Sequence, residues 1–299
     1  MGAFSSYLGQ AQWLTYMTDA YTWRVVWFSW WQACLSTVIS LSAAVLVARA
    51  LARRQSFVGR WLLLRCFSVA LVVPSIIAVF GIILLHGKYG YFNQFWLWLG
   101  GQPQSYVYGL TGILLAHVFF NLPLATRILL QRLDAINAET WRLSSQLGMT
   151  SVDLWRHIEW PHIKGVLPQL AALVFALCFT SFAIVMTLGG GPKATTIEVA
   201  IFQAIRFDFD IAKAVYLSLL QMGFCGFILW AGLRLGKPID MFVSLETSAK
   251  NMRPDLKPML GIVSDSVVLL LATLLVLLPL LAVVIAGINP AWADVLLDL

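Results

Sequence analysis

Charge is what this sequence has least of: only 11% of its 299 residues are Asp, Glu, Lys or Arg, against 60% that are apolar, and the mean hydropathy is +0.82. Those proportions exclude an ordinary soluble domain. Catalytic and metal-binding patterns are also scarce. The four cysteines, Cys34, Cys66, Cys178 and Cys225, form no CxxC pair and all fall in apolar stretches, where they read as small packing residues. The four histidines, His86, His117, His157 and His162, show no HExxH spacing, and no serine sits in a GxSxG elbow, so neither a zinc hydrolase nor a serine hydrolase is indicated. A glycine-rich stretch, Gly189 to Thr196, resembles a phosphate loop but places Pro192 before Lys193 and Ala194 after it, so it lacks the Gly-Lys-Ser/Thr order that wraps phosphate. Between Met1 and Asp19 there is no Lys or Arg and no continuous apolar core of a signal peptide.

What is present is a series of long apolar windows. A hydrocarbon core of roughly 30 Å takes about 20 helical residues to cross, and six windows reach that length: 26–51, 61–85, 109–130, 166–188, 211–233 and 262–287. Each must be helical, because lipid offers no partner for an unpaired backbone group. The expected fold is therefore an all-α polytopic membrane protein of about six transmembrane helices.

Of the 20 Lys and Arg residues, 15 surround alternate connections: Arg49 to Arg65, Arg127 to Lys164, and Arg234 to Lys257. Cations mark the cytoplasmic side, so these connections are expected inside and both termini outside. The net charge of +6 is then a matter of topology, and nucleic acid is not implied. Aromatic material before the first window (Trp13, Tyr16, Tyr21, Trp23) reads as an interfacial segment that follows an earlier span. The connection from His86 to Tyr108, where Lys88 is the lone charge among Tyr, Phe and Trp, is expected to lie along the membrane surface.

The polar interruption from Arg132 to Lys164 carries the most information. Residues 138–147 can form a short helix, Gly148 permits a turn, and Thr150 or Ser151 can cap a second helix that Asp153 favours in its first turn. Leu154, Trp155 and Ile158 follow at helical spacing, and Pro161 is expected to take Trp160 out of helical geometry. From periodicity alone this is an amphipathic helical pair at the lipid interface. The spacing Gly148, nine residues, Ile158, two residues, Pro161 resembles the cytoplasmic loop of binding-protein-dependent ABC importer permeases. In place of that family's Glu-Ala-Ala the chain has Arg142-Leu143-Ser144, and Trp160 replaces a leucine.

Three further stretches, WRVVWFSWWQ (Trp23–Gln32), GILLAHVFFNLPLATRILL (Gly112–Leu130) and SFAIVMTLGGGPKATTIEVAIFQ (Ser181–Gln203), resemble the fused permeases for thiamine and thiamine pyrophosphate, over almost the whole chain. The resemblance implies a type I ABC importer permease in a bacterial inner membrane, with no cofactor of its own and no chemistry of its own. It implies as partners an ATP-binding cassette subunit, a periplasmic substrate-binding protein, a second permease half or chain, and the lipid bilayer. It implies ATPase coupling by Ser144, Leu147, Gly148, Leu154, Trp155, Ile158 and Pro161. Because the fused subgroup carries two coupling loops and this chain one, residues 1–261, with the coupling loop at 132–165, are expected to be a first permease half without its leading span. Residues 262–299 are then the leading span of a second; the alternative is a complete six-span permease that pairs with another chain.

Polar residues inside apolar windows are the candidates for a translocation path. His117 and Asn121 are four apart on one helix face with Pro123 beside them, and Gln169, Thr180, Ser181 and Gln221 are similar. Interhelical hydrogen bonding accounts for the same residues. No cluster of Asp or Glu is expected within the spans, and Glu198, Asp208 and Asp210 are expected to be exposed. The functional alternatives are a ferric-iron permease of the same architecture and a secondary transporter, the latter expected to show broken helices and mid-span ionisable groups.

Overall fold

A computed structural model describes residues 15–102, 104–189, 191, 194–236, 253–256 and 259–288. Helix α1 (Ala20–Arg53) begins at Asp19, whose carboxylate accepts from the amides of Tyr21 (3.1 Å) and Thr22 (3.2 Å). Its 34 residues give a length of about 51 Å, more than a bilayer core requires. One stripe of small residues, Ala33, Ser36, Ser40, Ala44 and Ala48, is fully buried. With so little side chain on that stripe the backbone comes close to α5 (Leu110–Asp134), its main partner. Pro123 sits inside α5 without ending it.

Two expected spans are not continuous. The second divides at Pro74 into α2 (Arg60–Val72) and α3 (Ser75–His86), because proline lacks an amide and forces Val73 into extended geometry (φ −62°, ψ 128°). The fourth divides at Thr180–Ser181 into α9 (Leu167–Phe179) and α10 (Phe182–Leu188). No proline or glycine marks that break. It persists because side chains take over the backbone's bonding: the Cys178 carbonyl accepts from Gln32 Nε2 and Ser181 Oγ, each at 3.0 Å.

The connection after α3 forms α4 (Tyr91–Trp98), which joins α3 in one apolar stretch of spanning length, and the bundle is completed by α11 (Ile197–Arg206), α12 (Ile211–Leu235) and α13 (Met259–Gly287). Among the described residues, five helical stretches are long and apolar enough to cross a membrane, or six if the bent pair 151–164 and 167–179 counts as one span. α13 packs against α3, α1 and α2, and crosses α3 where Gly81 lies directly under the backbone of Pro279. The ends of α1, α5 and α12 and the starts of α2, α9 and α13 meet at one end of the bundle. At the other end Gly109 N donates to Leu188 O (2.6 Å) and Tyr16 Oη to Asp210 (3.0 Å). The connection 237–252, the glycine-rich residues 190, 192 and 193 and the aromatic Trp13 lie outside the described residues.

A candidate coupling loop and an inner cavity

After α5 the chain forms α6 (Ala138–Gln146), turns, and re-enters as α7 (Ser151–Leu154). The turn is made at Gly148, which adopts φ +64°, a region that L side chains resist. Its amide donates to Ser145 O (3.2 Å) and that of Met149 to Ser144 O (3.1 Å), so the last carbonyls of α6 are satisfied. Thr150 then caps α7 reciprocally with Asp153: Thr150 Oγ1 accepts from Asp153 N (3.3 Å), and Asp153 Oδ2 accepts from Thr150 N (3.0 Å). The hydrogen bond from the Thr150 hydroxyl holds the Asp153 carboxyl below the usual carboxylate range.

Pro161 does not expel Trp160 from the helix, as the sequence had suggested. Residues Trp155–Glu159 form a π turn, Trp160 N donates to Trp155 O, and Pro161 falls in the first turn of α8 (Trp160–Lys164), where its missing amide costs nothing. The seven coupling residues separate by side. Ser144, Leu154 and Ile158 are buried against the bundle and Trp155 is half-buried, whereas Leu147, Gly148 and Pro161 face outward. Leu147 is 65% exposed, and two apolar residues outside the seven share its exposure, Leu143 (58%) and Val152 (71%). Three exposed apolar side chains around a rigid turn form a compact knob. Sequence alone could not separate them from core positions, since both kinds are apolar at helical spacing.

Behind the knob lies an ionic cluster. Glu159 is 0% exposed and accepts from Arg49 Nε (2.7 Å) and from Arg253 Nη2. Arg253 also binds Asp255 (3.1 Å) and lies over the Trp141 ring (4.3 Å), and Arg49 lies over Trp155 (4.9 Å) and donates to Ser151 O (2.9 Å). Asp265 binds both Arg53 and Arg54, the latter at 3.0 Å. Carboxylates do therefore cluster at this end of the bundle, and one of them, Asp265, lies within a window taken as a span. Burial alone pulls down the pKa of Arg253, but the bond to Asp255 and the charges of Glu159 and Asp255 raise it above the ordinary guanidinium value.

The path candidates are brought together only in part. His117 and Asn121 are buried on the face of α5 that meets both helix breaks: His117 Nδ1 is 2.8 Å from Ser36 Oγ, Nε2 is 2.7 Å from Ser181 Oγ, and Asn121 Nδ2 donates to Cys178 Sγ (3.1 Å). They border a cavity of about 400 Å³ that Ser75, Thr180, Phe120 and Phe182 also line. Gln169 and Gln221 are elsewhere. Gln169 touches Gly236 at the end of α12, and Gln221 Nε2 donates to Glu198 Oε1 (2.7 Å). Glu198 is thereby half-buried rather than exposed, and Asp210 is half-buried by Tyr16, leaving Asp208 as the exposed acid of the three.

Residues 40–233 match the family of binding-protein-dependent transport system inner membrane components, and the chain belongs to that family. It is 47% identical over 284 residues to the thiamine transport system permease protein of Salmonella typhimurium, covering 95% of this chain and 52% of that one. It is 46% identical to the Escherichia coli thiamine transport system permease protein, covering 96% and 53%. A putative ferric transport system permease of Haemophilus influenzae is 25% identical over 228 residues, covering 73% and 35%. The chain spans about half the length of the thiamine permeases it matches. In fold it resembles a bacterial ABC transporter involved in import of the polysaccharide alginate, at TM-score 0.64 and 14% identity, covering 77% of this chain and 85% of that one.

Proposed function

We propose that this chain is a membrane-spanning portion of an ATP-driven importer for thiamine or its phosphate esters. ATP is hydrolysed on a separate ATP-binding cassette subunit, and substrate arrives from a periplasmic binding protein. A second permease half completes the passage. The observation that carries the substrate assignment is the identity of 46–47% with two thiamine permeases across nearly the whole chain, against 25% with a ferric permease. The cavity lining supports it: His117, Asn121, Ser75, Thr180 and Ser181 beside Phe120 and Phe182 offer neutral hydrogen bonds and aromatic faces, which suit a cationic heteroaromatic molecule. A ferric cargo calls for oxygen ligands such as carboxylates, and among the described residues no Asp or Glu lines this cavity.

The coupling element in this reading is the loop from Ala138 to Pro161. Leu143, Leu147 and Val152 enter a groove on the ATPase, Gly148 shapes the turn, and Ser144, Leu154, Trp155 and Ile158 tie the loop to the bundle. Closure of the ATPase subunits moves this rigid element and rocks the spans between outward and inward access. The test is reconstitution in lipid with the ATPase and a second permease half. ATP turnover is expected to rise with a thiamine-loaded binding protein. Turnover that responds only to a ferric-iron-loaded binding protein would transfer the assignment to the ferric class.

A further inference from the structure

The cavity bordered by His117 is walled along α5 by His117, Phe120, Asn121 and Leu124, and along α2 by Leu71. The same face of α5 continues past the cavity. Leu124 is half-buried, and beyond it Arg127 and Gln131 are the two exposed side chains before the helix ends, at spacings of three and four residues. Arg127 follows Leu124 by about 4.5 Å along the axis and stands about 10 Å before the end of α5 at Asp134. It is thus inside a span and off the connection that follows. Its Nη1 donates to Ser68 Oγ (3.2 Å), and Ser68 lies three residues before Leu71 on α2. The guanidinium therefore bridges the two walls just beyond the cavity. One of its five N–H donors is used in this way, and among the described residues no carboxylate pairs with it. Arg65, also exposed and three residues before Ser68, differs: it lies over the Trp61 ring (3.7 Å), a cation and an aromatic together near a helix start, as in an interfacial anchor.

We propose that Arg127 is a specificity-determining residue of the passage, which takes the phosphate of a phosphorylated cargo where the cavity gives way to the end of the bundle. This rests on the reading of the chain as part of a thiamine-class importer. A charge within a span is costly unless it meets water or a partner, and Arg127 has one neutral hydroxyl. Beside a neutral, aromatic lining, an unpaired guanidinium repels a cationic ring and attracts an anion, so it hinders a cargo that is only a cation. A phosphate ester reverses that sign. The planar fork of N–H groups matches two phosphate oxygens, and the bond to Ser68 fixes its direction. The cavity then holds the heteroaromatic rings and Arg127 the phosphate, a contact that the unphosphorylated alcohol cannot return. A phospholipid headgroup offers the same phosphate, and the vesicle composition in the test separates the two sources.

The test measures ATP-driven uptake of thiamine and of thiamine diphosphate by the whole importer, with its ATPase and binding protein, in vesicles with and without anionic phospholipid. The readout is the ratio of the two uptakes, which does not depend on how much of a variant reaches the membrane. Arg127→Gln is expected to lower the ratio of diphosphate to thiamine roughly tenfold in both kinds of vesicle, the loss of a charge-assisted hydrogen bond. Arg127→Lys, which keeps the charge without the fork, is expected to fall between, and Ser68→Ala to lower the ratio several-fold. Arg65→Gln is expected to leave it unchanged. An unchanged ratio in Arg127→Gln overturns the inference, and so does an equal fall in Arg65→Gln. A fall confined to vesicles with anionic phospholipid overturns it too, by giving the guanidinium to a lipid headgroup. Uptake of thiamine but of no diphosphate by the unaltered importer removes this inference alone, whereas uptake of neither removes the thiamine reading and this inference with it.

Discussion

At the residue scale, the position with the sharpest requirement is Gly148. A Cβ built there meets nothing within 4 Å, so the cost of replacing it is conformational, about 1–2 kcal/mol for an L residue at positive φ and more for a β-branched one. Gly148→Val is expected to insert into the membrane normally and to lose ATP-driven uptake. Wild-type uptake by that variant would remove the coupling role. Glu159 is the second such residue: Glu159→Gln leaves Arg49 and Arg253 facing a neutral group in a buried site, and a loss of about 3 kcal/mol is expected in denaturant unfolding. Asp153 supplies a pH dependence. Its folded-state pKa is depressed by Thr150, so its stabilisation of the loop helix is present above the unfolded carboxylate value and disappears as pH falls through the folded one. Amide-exchange protection at Asp153 is expected to fall below about pH 4, the ordinary carboxylate range, and Thr150→Ala is expected to show the same low protection at neutral pH.

At the element scale, the organising features are the two broken spans and the crossing of α13 on α3. Both breaks open on the cavity bordered by His117, so the irregular backbone lies where protein side chains can satisfy it. Broken spans were the mark expected of a secondary transporter, but family membership shows that they also occur in a binding-protein-dependent permease. The crossing depends on Gly81, where an added Cβ collides with the Pro279 carbonyl. Gly81→Leu is expected to cost about 1–3 kcal/mol through overpacking, read as a lowered unfolding midpoint. Gly226→Leu on α12, where a Cβ meets nothing within 4 Å, is the matched control and is expected to change the midpoint little. Equal effects at both glycines would mean that α13 does not pack on α3 as described.

At the scale of the whole molecule, the connections after α1 and α5 lie at one end of the bundle, and labelling tests the proposal that this cation-rich end faces the cytoplasm. In a background without Cys34, Cys66, Cys178 and Cys225, single cysteines at Ser56 and Ser145 are expected to react with a membrane-impermeant label only from inside, and one at Gln102 only from outside. Ser144 and Thr195 would be poor reporters because both are buried. The opposite labelling pattern would invert the topology.

The apolar windows, the all-helical class, the capped helix after Thr150 and the turn at Gly148 could be read directly from the sequence, because each rests on local chemistry: run length, a hydroxyl beside an acid, a residue free of Cβ. The breaks were only half visible. The window 61–85 reads as unbroken although Pro74 stands inside it, and at the Ser181 break Gln32, 146 residues from Cys178, joins Ser181 in bonding the Cys178 carbonyl, a contact that no local pattern encodes. Likewise His117 and Asn121 stood out as polar groups in lipid, but whether they met Gln169 and Gln221 depended on helix packing, which placed those two glutamines elsewhere. The ionic cluster was the least visible of all. Arg49, Glu159, Arg253 and Asp265 come from four separate segments, and only folding gives a buried charge its partners.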